Sequence, residues 1–193
     1  MAVRKKVGIV NVTGYAGMEL ARLLSVHPEV ELVAVTGRSA ARQKLSEALP
    51  FLRDCDIEIT PKLGSVDIAF LALPHCESAR EAKTLLDAGV RVIDISADFR
   101  LKTASLYPLW YGFRHPSPEL LERAVYGLPE FYREHIRNAT LVANPGCYPT
   151  AAILAMAPAF KEGLVKGKVI IDAKSGISGA GRSLSLKSHY CEA

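Results

Sequence analysis

The chain has 193 residues, of which 49% are hydrophobic, 23% charged and 7% aromatic, an ordinary globular composition that excludes a disordered or fibrous protein. Its net charge of +4 is interspersed with acidic residues and forms no basic helix face, so a small anionic ligand accounts for it as well and no nucleic-acid partner is expected. The four cysteines, Cys55, Cys76, Cys147 and Cys191, form no CxxC pair and no metal-finger spacing, so reduced thiols, no metal site and a cytoplasmic location are expected.

The N-terminus is basic but runs into an apolar strand pattern rather than a signal peptide, and the longest nearly apolar stretch, residues 151–160, falls well short of the roughly 20 needed to cross a bilayer. No membrane partner is expected. Strand-length apolar runs rich in β-branched residues follow at 7–12, 30–35, 68–73, 90–95 and 141–143. Several are almost continuously apolar, the mark of parallel strands covered on both faces. Between the first two, Met18, Leu20, Ala21, Leu23 and Leu24 fall near helical spacing, with His27-Pro28 closing the segment. A second helix reads over 78–88 and stops at Gly89. This alternation predicts a doubly wound α/β parallel sheet of the Rossmann type over 1–146.

Residues 107–118, rich in Tyr, Trp and Pro, read as an irregular surface excursion with one short helix. A new unit is expected from 147 to 193: a helix from Pro149 to about Phe160, a strand over 169–173 and a Gly/Ser-rich loop over 175–181. One strand and one helix do not close a core, so this unit is read as incomplete.

The first strand leads into Asn11-Val-Thr13-Gly14-Tyr15-Ala16-Gly17 and then a helix. Gly14 would let backbone approach a pyrophosphate, Gly17 would let the helix pack on the strand, and the helix start offers free N–H groups. Asn11 stands where a glycine is expected, and Asn tolerates left-handed backbone. At the end of the second strand Thr36-Gly-Arg38-Ser39 offers no carboxylate for ribose hydroxyls. Arg38 suits a 2′-phosphate, with Ser39 as a further donor, so the expected cofactor is NADP(H).

In Asn144-Pro-Gly-Cys147-Tyr-Pro-Thr150 a cysteine stands between a strand and a helix, at the positive end of a helix dipole, where a nucleophile and a buried core thiol are about equally plausible. Cys55, Cys76 and Cys191 show no comparable turn and read as core residues.

Gly14-Tyr-Ala-Gly17, Ser96-Ala-Asp-Phe-Arg100, Tyr126-Gly-Leu-Pro-Glu130, the Cys147 segment and Ser175-Gly-Ile-Ser178-Gly179-Ala-Gly-Arg182 occur in an order that resembles the family of N-acetyl-γ-glutamyl-phosphate reductases, across essentially the whole chain. The resemblance implies an NADPH-dependent enzyme of arginine biosynthesis, related to aspartate-semialdehyde dehydrogenases. Cys147 would attack an acyl phosphate, phosphate would leave, and the thioester would accept hydride and collapse to a semialdehyde. Backbone N–H groups after Cys147 would hold the oxyanion. Pro74, Ser178 and Gly179 would join the cofactor site; Arg100, Asn144 and Arg182 would bind substrate; His75 is a weak candidate for the base.

In that family the histidine base lies beyond residue 193, the second domain is an α+β substrate and dimerisation domain, and a homo-oligomer forms. None of His27, His115, His135 or His189 sits in a segment resembling the base motif. Two alternatives stay open: a truncated NADP-binding module without catalysis, and a paralogue reducing carrier-protein-linked aminoadipyl or glutamyl phosphate.

Overall fold

The computed structural model describes residues 3–183 and Leu186. Its seven strands are β1 (Lys5–Val10), β2 (Val30–Thr36), β3 (Ile59–Thr60), β4 (Ile68–Leu71), β5 (Arg91–Asp94), β6 (Val125–Tyr126) and β7 (Leu141–Ala143). They form one sheet in the order β3-β2-β1-β4-β5-β7-β6, every pair parallel. The order reverses between β1 and β4, the topological switch point at which ligands of doubly wound sheets bind. The helices are α1 (Tyr15–Ser25), α2 (Leu45–Ala48), α3 (Glu77–Asp87), α4 (Leu106–Tyr111), α5 (Pro129–Asn138) and α6 (Cys147–Lys161).

Because side chains alternate along a strand, neighbouring residues of β1 enter different cores. Ile9 joins Ala21 and Leu24 of α1, while Val10 joins Ala79 and Ala82 of α3. Each fully buried aliphatic side chain contributes about 1.5–3 kcal/mol, so the apolar runs hold helices on both faces.

Residues 1–144 and 145–193 form two separate compact units. In the second, α6 is apolar on most of its circumference, yet none of its residues is buried. The strand expected over 169–173 is absent: these residues pair with no strand among the described residues, and Ile170 and Ile171 are exposed. Strand composition needs a partner ladder before it becomes a strand.

The excursion over 107–118 also differs from expectation. It contains α4, as anticipated, and Leu109 and Trp110 are exposed, but it also sends side chains into the core: Tyr107 is fully buried and His115 nearly so. The Tyr107 hydroxyl donates to Leu101 O at 3.2 Å and accepts the Leu101 N–H at 3.1 Å, and burial pushes its pKa up to about 12. His115 Nε2 donates to Asp98 O at 2.6 Å and Nδ1 accepts the Ser117 N–H at 3.1 Å. Burial holds its pKa below the usual histidine value.

Candidate functional site

The chain leaves β1 through Asn11, which is left-handed at φ 68°, as the sequence position suggests. The side chain then fixes the turn. Asn11 Nδ2 donates to Ala72 O at 2.8 Å, just past β4, and the Asn11 N–H donates to Thr36 Oγ1 at 3.2 Å, at the end of β2. Both neighbours of β1 are thereby tied to one turn.

Gly17 and Gly14 have different reasons to be glycine. A Cβ on Gly17 would strike the Asn11 carbonyl oxygen and lie 2.7 Å from Val12 Cα, so α1 approaches β1 only without it. At Gly14 the nearest atom to such a Cβ is 3.7 Å away and φ is −80°, so packing and backbone both accept a side chain. Gly14 caps α1 without any side-chain hydrogen bond, and no acidic residue occupies the first turn. The amides of Tyr15, Ala16 and Gly17 therefore open the positive end of a helix that no first-turn acid among the described residues neutralises. That donor set, with an uncrowded glycine before it, fits the pyrophosphate of a dinucleotide.

Beside this turn lies a cleft of about 940 Å³ lined by Gly37, Arg38, Lys62, Pro74, Glu77 and Arg80 among others. Ser39 Oγ donates to Thr13 Oγ1 at 3.2 Å, linking the loop after β2 to the glycine turn. Arg38 Nη2 lies 2.6 Å from Glu77 Oε2. The end of β2 carries no carboxylate of its own, but α3 supplies one with its first residue. Lys62 and Arg80, not singled out from the sequence, add two cations to the same cleft. The available signal for the α3 wall was the spacing of Glu77, Arg80, Glu81 and Thr84, which helical geometry places on one face.

The turn from β4 into α3 is built differently. Pro74 lines the cleft. His75 Nδ1 accepts the Ala97 N–H at 3.2 Å, so a neutral ring carries its proton on Nε2, and the ring stacks on Phe113 with centroids 6.5 Å apart. Cys76 then adopts φ 71° and caps α3. It is half-buried, not the core residue expected, because it sits in the turn past the end of β4, at the start of α3. Cys55 is likewise half-buried, and burial pushes its thiol pKa up.

The buried Asp98 reaches this turn from the segment after β5, accepting the N–H groups of Cys76 at 2.9 Å and Ala79 at 2.8 Å. Nearby Asp94 is fully buried and accepts hydrogen bonds from Ser78 Oγ, from the Ser96 N–H at 3.1 Å and from Ser96 Oγ at 2.7 Å. Burial pushes its carboxyl above the usual range despite those bonds.

Arg100 donates from Nε to Asn144 O at 2.9 Å and from Nη2 to Ile95 O at 2.7 Å. The guanidinium is thus held by carbonyls just past β7 and β5, with two of its nitrogens so used. The backbone N–H of Asn144 donates to Asp94 O at 2.8 Å. Within residues 1–144 the structure therefore gathers Thr13, Gly14, Tyr15, Ala16, Gly17, Arg38, Ser39 and Pro74 around the glycine turn and its cleft, and pins Arg100 beside Asn144.

In the second unit, Gly146 caps α6 in an extended conformation, φ −70° and ψ 158°, with no side-chain hydrogen bond. Cys147 is the first helical residue and is exposed. The helix thus begins two residues earlier than expected. Thr150 Oγ1 donates to Gly146 O at 2.8 Å and steadies the first turn. Ser178 and Gly179 lie in a 3₁₀ turn, Ile177–Ala180, and Arg182 follows on the surface. Cys191 and His189 lie outside the described residues. No helix among the described residues is long and apolar enough to cross a membrane.

Residues 6–139 match the family model for the semialdehyde dehydrogenase NAD-binding domain, and residues 147–193 match that for the semialdehyde dehydrogenase dimerisation domain. An N-acetyl-gamma-glutamyl-phosphate reductase of Dehalococcoides mccartyi is 62% identical over 189 residues, which cover 97% of this chain and 55% of that protein. One from Acidithiobacillus ferrooxidans is 52% identical over 187 residues, 94% of this chain and 54% of that protein. The chain thus spans about half the length of the curated relatives it matches. An aspartate semialdehyde dehydrogenase with NADP from Candida albicans aligns at 20% identity and a TM-score of 0.61 over 83% of this chain and 48% of its own, a likeness of fold.

Proposed function

The chain belongs to the semialdehyde dehydrogenase family, and from that premise we propose that it is the cofactor-binding and nucleophile-bearing part of an N-acetyl-γ-glutamyl-phosphate reductase. The observation that carries this reading is the 62% identity with such a reductase over 97% of the chain. The reaction is the reductive dephosphorylation of N-acetyl-L-glutamyl 5-phosphate to the 5-semialdehyde, in the cytoplasm, with NADP(H) as cofactor. Residues 1–146 are the cofactor domain, and residues 147–193 open the substrate domain, through which a homo-oligomer forms.

The α1 amides and Gly14 take the pyrophosphate, Arg38 and Ser39 take the 2′-phosphate, and Thr13, Pro74, Ser178 and Gly179 complete the cofactor site. What NADPH supplies when bound is a hydride. The rest falls to the chain. The Cys147 thiolate displaces phosphate from the acyl carbon and holds the acyl group as a thioester, which is a far better hydride acceptor than a carboxylate. N–H groups at the start of α6 stabilise the tetrahedral oxyanion. Arg100, Arg182 and Asn144 orient the substrate's carboxylate and phosphate.

The test runs the reaction backwards. The chain is mixed with NADP⁺, phosphate and N-acetylglutamate semialdehyde, and the absorbance of reduced nicotinamide is followed. Turnover that Cys147→Ser abolishes supports the reading. NADP⁺ binding without turnover supports a binding module instead. Arg38→Ala is expected to weaken NADPH much more than NADH, and equal losses would remove the 2′-phosphate assignment.

A further inference from the structure

Arg38, assigned above to the 2′-phosphate, already has an anionic partner in the cleft. We propose that Glu77 is a specificity-determining carboxylate: it competes with the ribose 2′-phosphate for Arg38 and narrows the margin by which the chain prefers a 2′-phosphorylated dinucleotide over one with a free 2′-hydroxyl. This rests on the Arg38 assignment under Proposed function.

The two partners are held unequally. Arg38 stands on the loop after β2 with its side chain 83% exposed, whereas that of Glu77 is 37% exposed. Glu77 is the first residue of α3, where the helix dipole favours a negative charge, and Asp98 pins the start of that helix through the N–H groups of Cys76 and Ala79. When a phosphate arrives, the arginine moves and the carboxylate stays. An ion pair as exposed as this shifts an equilibrium only about two- to fivefold, so it yields to a dianion that binds guanidinium bidentately.

The carboxylate left behind then faces that dianion. Glu81, one turn further along the same helix face, lines the cleft as well, while Lys62 and Arg80 offset part of the negative charge. A dinucleotide with a free 2′-hydroxyl brings no such charge near Glu77, so the penalty falls selectively on the phosphorylated form.

Calorimetric titration of the chain with NADP⁺ and with NAD⁺ tests this. Glu77→Gln is expected to tighten NADP⁺ about three- to tenfold and to leave NAD⁺ within about twofold. In an Arg38→Ala background the gain is expected to shrink, because much of it passes through the arginine. Glu77→Asp keeps the charge on a shorter arm and is expected to give an intermediate gain. Unchanged or weaker NADP⁺ binding by Glu77→Gln, or equal gains for both nucleotides, would overturn the inference. If Arg38→Ala lowers both affinities equally, the 2′-phosphate assignment itself fails. If Arg38→Ala costs NADP⁺ selectively and Glu77→Gln does nothing, only the role of Glu77 fails.

Discussion

Two helices start on either side of the switch point in the sheet, and their N-termini are finished in opposite ways. α3 receives a buried carboxylate from Asp98, which accepts the N–H groups of Cys76 and Ala79. α1 receives no side-chain cap and no first-turn acid. The protein supplies its own anion to one helix start and, among the described residues, no first-turn acid to the other. The contrast extends to the capping residues. At α3 the cap is Cys76 in the left-handed region, where a β-carbon is costly. At α1 it is Gly14, in an extended conformation that any residue can adopt. A glycine that the backbone does not need, at a helix start with no first-turn acid among the described residues, is what the proposed pyrophosphate site calls for.

The largest expected effect separates the two glycines of the α1 turn. Gly17→Ala pushes a methyl group into the Asn11 carbonyl and to within 2.7 Å of Val12 Cα. It should destabilise the chain by about 3 kcal/mol, since overpacking against backbone has no flexible side chain to yield. Gly14→Ala meets only ordinary contact at 3.7 Å, so its stability cost should stay below about 1 kcal/mol, while NADP⁺ binding falls at least about tenfold, because the methyl group stands where the pyrophosphate must approach. Thermal melts and calorimetry on both variants check the split. If Gly17→Ala melts like the parent, or Gly14→Ala binds like it, the two glycines do not divide packing from binding in this way.

On the α3 side, Asp98→Ala removes the anion and leaves two N–H groups without their acceptor in a buried place. The expected loss is about 2–3 kcal/mol, combining a lost helix cap with unsatisfied donors. It should appear in denaturant unfolding as a lower midpoint. Equal stability would mean that water or another group takes over the cap.

Much of the first unit was legible because its signals are local. Continuous β-branched runs announced five strands, and the positive φ of Asn11 follows from the one non-glycine residue type best suited to it. The two-residue strands β3 and β6 were not legible, being too short to show a period. α5 was missed because Pro-Glu-Phe-Tyr-Arg-Glu-His-Ile-Arg-Asn is short and mostly polar, and its one apolar face, Phe131, Tyr132 and Ile136, buries no residue. Residues 169–173 show the converse failure, strand composition without a partner. In the candidate site, the glycine turn lies within seven consecutive residues and could be read directly. The Arg38–Glu77 pair joins residues 39 apart and the Asp98 cap spans about twenty, so both exist only once β2, β4 and β5 are stacked beside one another.

The smallest expected effect tests the strained side of the comparison. Cys76 holds φ 71° so that its N–H and that of Ala79 can both reach Asp98. A left-handed conformation costs a residue with a β-carbon roughly 1–2 kcal/mol, and glycine avoids that cost but gives the unfolded chain more freedom, worth about 0.4–1 kcal/mol. Cys76→Gly should therefore stabilise the chain by about 0.5–1 kcal/mol, a rise of roughly 1–4 °C in melting temperature at this size. The gain depends on the cap that imposes the turn. In an Asp98→Ala background the backbone is released from its left-handed position, and Cys76→Gly should then give no gain. A stabilisation that persists without Asp98 would show that the strain has another source.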